Sequence, residues 1–376
     1  MTEFEVETGA VFETTFWKNP IEDSRYRFRA THLNGRKAPK VVLTSDPRVR
    51  AGVPCLVRVL RIEKPERTDR GLIEVELVRL LAFEPRGVYL DPIVRDKLQV
   101  ALESGLNILL DGPQGCGKTV LARAIAEALG MEFVFFNCGA VVEATDFLAT
   151  IQVRSSESGH PLTGFVKTEV LEALEAAGTH PERSYLVFLD ELNRCAEAAR
   201  NALMPALDAT RRVFNPITNT FLPIPDNVQF VAAVNRGSEF TATFGIDAAQ
   251  LDRFAPLQME YLPPEAEVDL LAGRHPEVPR ELIETVVEVA RVIRGSTEIS
   301  GGLSVRATEE VCVYLKHPVM EHRAAAMLPE ILKSSFCGRF SGRWHDASTD
   351  AGMVWTLIEG ALGSKRGKRK PQTVGE

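Results

Sequence analysis

No run of eighteen apolar residues occurs in the 376-residue chain, so a membrane-spanning helix is not expected and no membrane partner is assigned. The opening segment MTEFEVETGAVFETTF lacks the basic and apolar stretches of a secretory leader, and a cytoplasmic location is the expectation. The six cysteines, Cys55, Cys116, Cys138, Cys195, Cys312 and Cys337, form no CxxC pair and have no histidine at ligand spacing. That scatter argues against a zinc site and against a disulfide framework, leaving reduced, mostly buried thiols. Excess positive charge is also missing. A net charge of −7 argues against the whole molecule being a nucleic-acid coat. Internal repeats are absent, and the one low-complexity tract is SKRGKRK near the C-terminus.

What is present is an ordinary core-forming composition, 45% apolar and 25% charged, in a chain long enough for two or three domains. Residues 1–86 are locally basic, with sixteen Lys and Arg against thirteen Asp and Glu, although the chain as a whole is acidic. Runs rich in β-branched residues, Val53 to Lys64 and Gly71 to Leu81, flank the polar connection PERTDRG, and RYRFRATHL and KAPKVVLTS supply earlier strands. Residues 1–86 are therefore expected to form a small all-β domain, a barrel or sandwich of five or six strands. From Asp91 the pattern becomes helix alternating with short apolar strand (NILLD, EFVFFN, SYLVFLD, VQFVAAVN), the mark of a parallel sheet covered by helices. This α/β core is assigned to 87–262. Residues 263–363 read as a separate helical domain, and 364–376 as a basic, disordered tail. Lys365, Arg366, Lys368, Arg369 and Lys370 of that tail could meet phosphates or an acidic partner.

Chemistry concentrates in three places. The first is GPQGCGKT, which fits G-x-x-x-x-G-K-[ST] at Gly112, Gly117, Lys118 and Thr119, with Pro113, Gln114, Gly115 and Cys116 inside the loop and Val120 behind it. Such a loop converges backbone N–H groups on phosphate oxygens, which requires glycine where a Cβ cannot fit, and the following helix adds the positive end of its dipole. Lys118 would neutralise the β- and γ-phosphates and the Thr119 hydroxyl would enter a Mg²⁺ shell. The second is the strand YLVFLDELNR, ending in Asp190 and Glu191. Two adjacent carboxylates at the end of a buried strand repel each other unless a cation is present, so Asp190 is expected at Mg²⁺ and Glu191 at the attacking water. The third is VQFVAAVNR, whose Asn235 could bond the γ-phosphate or that water. The pattern thus points to ATP with Mg²⁺ as ligands and to ATP hydrolysis as the reaction.

The order GPQGCGKT, FLDELNR, AAVNR, LDRF and a helical domain resembles the MoxR branch of AAA+ ATPases, with its CbbQ and NorQ-type relatives. The resemblance covers about residues 88–363 and leaves 1–86 unaccounted for. It implies a P-loop NTPase core of the AAA+ type, a C-terminal helical lid and a homo-oligomeric, hexameric ring. Arg253, in LDRF, matches the arginine finger inserted into a neighbouring subunit's site, with Arg194, Arg211 and Arg212 as rival positions. Arg306, in GGLSVRAT, matches the sensor-2 arginine at the start of a lid helix, although GGLS replaces the family's proline-rich approach. Two insertions, one at Arg211 to Pro225 with turn residues Asn215, Pro216 and Asn219 and one at Ile151 to Lys167, either project toward the pore, as such segments do in these rings, or are passive loops.

Two roles follow from that resemblance. One is a MoxR-like chaperone that remodels or activates a protein partner, such as a separate von Willebrand A-domain protein, since this chain has no DxSxS motif of its own. The other is a nucleic-acid or defence-system motor resembling McrB and MCM relatives. Residues 1–86 would then be an OB-like module using Arg25, Arg27, Arg29, Arg58 and Arg61. Strand alternation puts Arg25, Arg27 and Arg29 on one face and Tyr26 with Phe28 on the other, which favours buried aromatics behind a solvated basic face.

Overall fold

The computed structural model describes residues 6–19, 26, 28–46, 48–49, 52–63, 71–80, 85, 87–155, 161–235, 247–320 and 322–368, with side chains left out at 153–155, 161–163 and 364–368. Two compact units emerge. One holds the N-terminal sheet and the α/β layer; the other holds Gly112–Cys116 together with the helical residues from Met259 onward.

The N-terminal strands are β1 (Val11–Thr15), β2 (Trp17–Lys18), β3 (Phe28–Leu33), β4 (Arg36–Thr44), β5 (Pro54–Ile62) and β6 (Leu72–Leu80). They form one six-stranded sheet in the order β1-β5-β6-β4-β3-β2, with β4 and β6 parallel and the remaining neighbours antiparallel. Alternation does the sorting: Cys55, Val57 and Val59 on β5 and Ile73, Val75 and Leu77 on β6 are buried. Register shifts at Ala30/His32, Leu56/Val57 and Val59/Arg61 bend the strands. Glu13 N–H donates to Asn34 Oδ1 (2.6 Å), Asn34 N–H donates to Glu13 O (2.7 Å), and Thr14 Oγ1 donates to His32 O (2.6 Å). These bonds bring β1 to β3 and roll the sheet toward a barrel. Tyr26 and Phe28 are buried as the alternation required, whereas Arg25 and Arg27 lie outside the described residues.

The α/β layer follows helix α1 (Pro92–Glu103), whose N-terminus is capped by Asp91 through Ile93 N–H at 2.8 Å. Its principal strands are β7 (Ile108–Gly112), β8 (Glu132–Asn137), β11 (Tyr185–Asp190), β14 (Val228–Asn235) and β15 (Ala255–Gln258), ordered β15-β7-β14-β11-β8. The connecting helices are α2 (Lys118–Ala128), α3 (Glu169–Thr179), α4 (Glu197–Leu207) and the short α5 (Ala248–Leu251). β14 is buried along its whole length, but β8 lies at the sheet's edge and exposes Phe135 despite its apolar sequence. Both expected insertions are hairpins: β9 (Ala149–Ser155) with β10 (Pro161–Lys167), and β12 (Arg212–Asn215) with β13 (Thr220–Pro223). The N-terminal sheet is tied to α1. Glu103 Oε1 accepts from Leu80 N–H (2.6 Å), Gln99 donates to Leu80 O (2.8 Å), and Arg48 Nη1 donates to Glu103 O (3.0 Å).

The helical unit comprises α6 (Pro264–Arg274), α7 (Arg280–Arg294), α8 (Val305–Lys316), α9 (Ala324–Leu332) and α10 (Asp350–Lys368). α7 buries Ile283, Val286, Val287, Ala290 and Ile293, an apolar stripe at helical spacing that faces the unit's own core. α10 continues to Lys368, so Lys365, Arg366 and Lys368 stand on helical backbone; Arg369 and Lys370 lie outside the described residues. No helix among the described residues is long and apolar enough to cross a membrane.

Candidate active site

The first glycine turn has the backbone that its sequence demands. Gly115 and Gly117 take φ of +75° and +101°, where an L-residue is strained. Gly117 is the N-cap of α2 and provides no side-chain cap, and the first turn of α2 holds no acidic residue. Lys118, at the first position of the helix, is only 7% exposed. A cation buried at the positive end of a helix is a like-signed arrangement that a bound anion relieves. Thr119 is half-buried beside it and Val120 is exposed. A phosphate group therefore fits this turn.

Asp190 closes β11, and Glu191 stands immediately past the strand. Glu191 has φ +54°, a left-handed backbone for a non-glycine residue, and its N–H donates to Asp190 Oδ1 at 3.1 Å. Such a conformation costs roughly 1–2 kcal/mol and persists where the surroundings hold it. A neighbouring turn approaches the Glu191 carboxylate. Asn137, the last residue of β8, pairs in register with Asp190 and accepts from Gly139 N–H at 2.9 Å. A Cβ on Gly139 would lie 3.4 Å from Glu191 Oε2 and 3.7 Å from Arg194 Cδ. Burial pushes the Cys138 thiol well above its usual range, and Cys195, Asp190 and Glu191 add to the effect through their negative charge. The acid pair thus lies beside a tight turn whose Cys138 is buried while Asn137 and Gly139 stay exposed. Among the described residues no group of three or more His, Cys, Asp or Glu is arranged to hold a metal. The two residues expected at Mg²⁺, Thr119 and Asp190, are oxygen donors, the kind that ion takes along with phosphates and water.

Asn235 is the last residue of β14 and is 8% exposed. Arg253 follows α5. Its guanidinium donates to Ala249 O and has Nη2 3.8 Å from Asp208 Oδ2, while its own carbonyl accepts from Asn107 at 3.2 Å. The rival positions have contacts of their own. Arg211 is absorbed into the base of its hairpin, donating to Pro225 O (3.0 Å) and Val228 O (3.2 Å), and burial lowers its pKa. Arg212 lies 4.6 Å over the Phe221 ring, and Arg194 is 3.1 Å from Glu191. Arg306 is the second residue of α8 and is exposed.

Each hairpin displays an exposed pair of directly opposed apolar side chains. Phe214 opposes Phe221 with ring centroids 5.7 Å apart, and Ile151 opposes Phe165. Spacing along the chain could not reveal the Arg194–Glu191 contact as more than an i,i+3 possibility. The roles of Asn137 and Gly139 carry no motif at all, because they come from a strand pairing fifty residues away in sequence.

Residues 107–254 match the AAA domain family, dynein-related subfamily. An uncharacterized protein of Staphylococcus saprophyticus is 24% identical over 208 residues, 55% of this chain and 76% of its own length. Among solved structures, a RuvB mutant of Thermotoga maritima aligns with 75% of this chain and 90% of its own at 17% identity and a TM-score of 0.42. NtrX of Brucella abortus in complex with ADP aligns with 62% of this chain and 52% of its own at 16% identity and a TM-score of 0.41.

Proposed function

Because residues 107–254 carry an AAA domain of the dynein-related subfamily, we propose that this chain hydrolyses ATP to ADP and phosphate and uses the cycle to remodel or activate a protein partner. The observation that carries the hydrolytic reading is the buried Lys118 at the start of α2, in the same compact unit as the acid pair Asp190 and Glu191. The loop from Gly112 to Thr119 binds the triphosphate through its amides and through Lys118. Thr119 and Asp190 would hold Mg²⁺, which supplies positive charge against the phosphate oxygens. Glu191 orients a water and accepts its proton as the water oxygen bonds to the γ-phosphorus and the bond to the β-phosphate oxygen breaks. Asn235 hydrogen-bonds the γ-phosphate or the same water. Arg253 of one copy completes the site of the next copy in a hexameric ring, and Arg306 reports γ-phosphate to the helical unit.

A protein partner is favoured over nucleic acid by the outer face of the N-terminal sheet. Arg58 is paired with Glu76 at 3.1 Å, and Arg61 with Glu63 at 2.5 Å and Glu74 at 3.3 Å. A surface whose arginines are matched by carboxylates gains little from phosphates. The exposed Phe214–Phe221 and Ile151–Phe165 pairs offer apolar contact to a polypeptide, whether a client or a separate A-domain protein.

The test is phosphate release by the purified chain with ATP and Mg²⁺. Lys118→Ala is expected to abolish nucleotide binding, and Glu191→Gln to keep binding while stopping turnover. Steady hydrolysis by both variants would remove the site from consideration. Salt-dependent binding of single- or double-stranded DNA or RNA by the full chain would instead revive the motor reading.

A further inference from the structure

The helical unit contains an ion pair withdrawn from water, and its contacts lead to the P-loop. Glu267 on α6 is fully buried and Arg294 at the end of α7 has a side chain only 8% exposed. Their contact is bidentate, Arg294 Nη1 to Glu267 Oε2 at 2.5 Å and Nη2 to Oε1 at 3.1 Å. Thr308 on α8 donates to Glu267 Oε1 at 2.6 Å, so three helices meet on one carboxylate. Arg294 has two further contacts. Its Nε donates to Leu303 O at 2.6 Å, and its guanidinium lies 4.7 Å over the ring of Tyr261.

Tyr261 is gripped from another side as well. A Cβ on Gly302 would fall 2.3 Å from the Tyr261 hydroxyl, so only glycine lets that backbone approach so closely. The same hydroxyl reaches Gln114 O, inside the P-loop, at 3.5 Å. On either side of Gln114 the loop is pressed against the same unit. A Cβ on Gly112 would meet Met259 O at 2.4 Å, and one on Gly115 would meet the Ser304 Cβ at 2.3 Å. Segment Gly112–Cys116 is therefore seated at three successive points, 112 on 259, 114 on 261 and 115 on 304.

We infer that Tyr261, held in place by Arg294, is a positioning residue that sets the Gln114 peptide and with it the convergence of P-loop amides on phosphate. The inference rests on the reading of this loop as the nucleotide site. Arg294 grips both Tyr261 and the Leu303 carbonyl next to Ser304, so one buried guanidinium fixes two of the three seats. Its anchor on Glu267 makes the P-loop's shape depend on how α6, α7 and α8 are packed. A loop shaped before nucleotide arrives binds ground state and transition state alike, so its loss appears in affinity and not in the chemical step.

The experiment titrates full-length wild type, Tyr261→Phe, Tyr261→Ala, Arg294→Lys and the Tyr261→Phe/Arg294→Lys double variant with a fluorescent ATP analogue and Mg²⁺, then measures phosphate release. Tyr261→Phe removes one long hydrogen bond and is expected to weaken binding about 2- to 10-fold and to raise KM equally, with kcat within about twofold. Tyr261→Ala removes the ring as well and weakens binding further. Arg294→Lys lowers affinity in the same direction, and adding Tyr261→Phe to it changes little, because Arg294 reaches Gln114 by way of the Tyr261 hydroxyl. An affinity unchanged in Tyr261→Phe and Tyr261→Ala, or Arg294→Lys effects confined to thermal stability, would overturn the inference. Lys118→Ala and wild type run alongside. Wild type that fails to bind nucleotide overturns the site itself and this inference with it, whereas wild type that binds while the Tyr261 variants match it overturns this inference alone.

Discussion

Arg194 Nη1 lies 3.1 Å from Glu191 Oε2 within one chain, across a single short turn. The resemblance leaves three arginines as rivals to Arg253 for a role in a neighbour's site, and each has a contact of its own within the chain. Arg194 is engaged beside its own chain's acid, Arg211 holds the base of a hairpin, and Arg212 lies over Phe221. Arg253 is held by a carbonyl and by a carboxylate at 3.8 Å, a loose and partly exposed ion pair worth little to folding.

Arg253→Ala should therefore leave nucleotide affinity within a few-fold of wild type and cut turnover by about 10³-fold, as loss of a trans cation does in phosphoryl transfer. The decisive measurement mixes Arg253→Ala with Glu191→Gln, each inactive alone. Shared sites in a ring predict recovered phosphate release in the mixture, because some interfaces then pair an intact Glu191 with an intact Arg253. A mixture as silent as its components would place Arg253 in its own subunit's fold.

Asp46 offers a pH test of the N-terminal sheet's attachment. Burial raises its pKa, but hydrogen bonds from Arg48 and from the N–H groups of Leu77 and Arg48 outweigh that, so the carboxyl ends below its usual range. The bonds are short, 2.6 Å from Arg48 Nη2 and 2.9 Å from Leu77 N–H. A carboxyl depressed in the folded state contributes stability that is fully present above its unfolded pKa, about 3.9, and is lost as pH falls through the folded value. Asp46→Asn should lower the denaturation midpoint at pH 7, and the gap from wild type should shrink as the pH drops below about 4. A gap that stays constant down to pH 3 would mean that the charge is not what matters.

The thiols give a stability-independent check on packing. All six cysteines are buried, and burial pushes Cys55 and Cys312 up to about 12 and Cys195 and Cys337 up to about 11. Only the thiolate reacts, so the native chain at pH 8 should resist an aromatic disulfide reagent over minutes. The same chain in denaturant should release about six equivalents. Rapid labelling of a native cysteine would show that its segment opens readily.

Much of this architecture was legible beforehand because it is written in local periodicity. Val57 and Val59 alternate with exposed Arg58 and Leu60, the β7 and β11 strands are apolar runs that end at Asp111 and Asp190, and α7 repeats its apolar residues at helical spacing. The glycine turn is a contiguous motif whose backbone demands can be read residue by residue. The long-range contacts around the glycine turn were not legible. Glu267 and Arg294 are 27 positions apart, Tyr261 and Gln114 are 147 apart, and each is an unremarkable residue on its own element. EFVFFN marks a strand, but its place at the sheet's edge as β8 was not legible, because apolar content does not reveal strand order.

Gly115 and Gly164 make the last prediction, since both are glycines in insertions or loops but only one is constrained. At Gly164, on the β9–β10 hairpin, an added Cβ meets nothing within 4 Å. At Gly115 the backbone has φ +75° and the added carbon would stand 2.3 Å from the Ser304 Cβ, so the loop or the start of α8 must shift. Left-handed backbone alone costs an L-residue roughly 1–2 kcal/mol, and the steric overlap adds to it. Gly115→Ala should therefore weaken ATP binding by at least about tenfold, while Gly164→Ala changes neither affinity nor melting temperature. Adding Ser304→Gly to Gly115→Ala removes the overlap but leaves the backbone strain, so partial recovery of affinity is expected. No recovery in that double variant would assign the whole cost to the left-handed turn and none to the approach of Ser304.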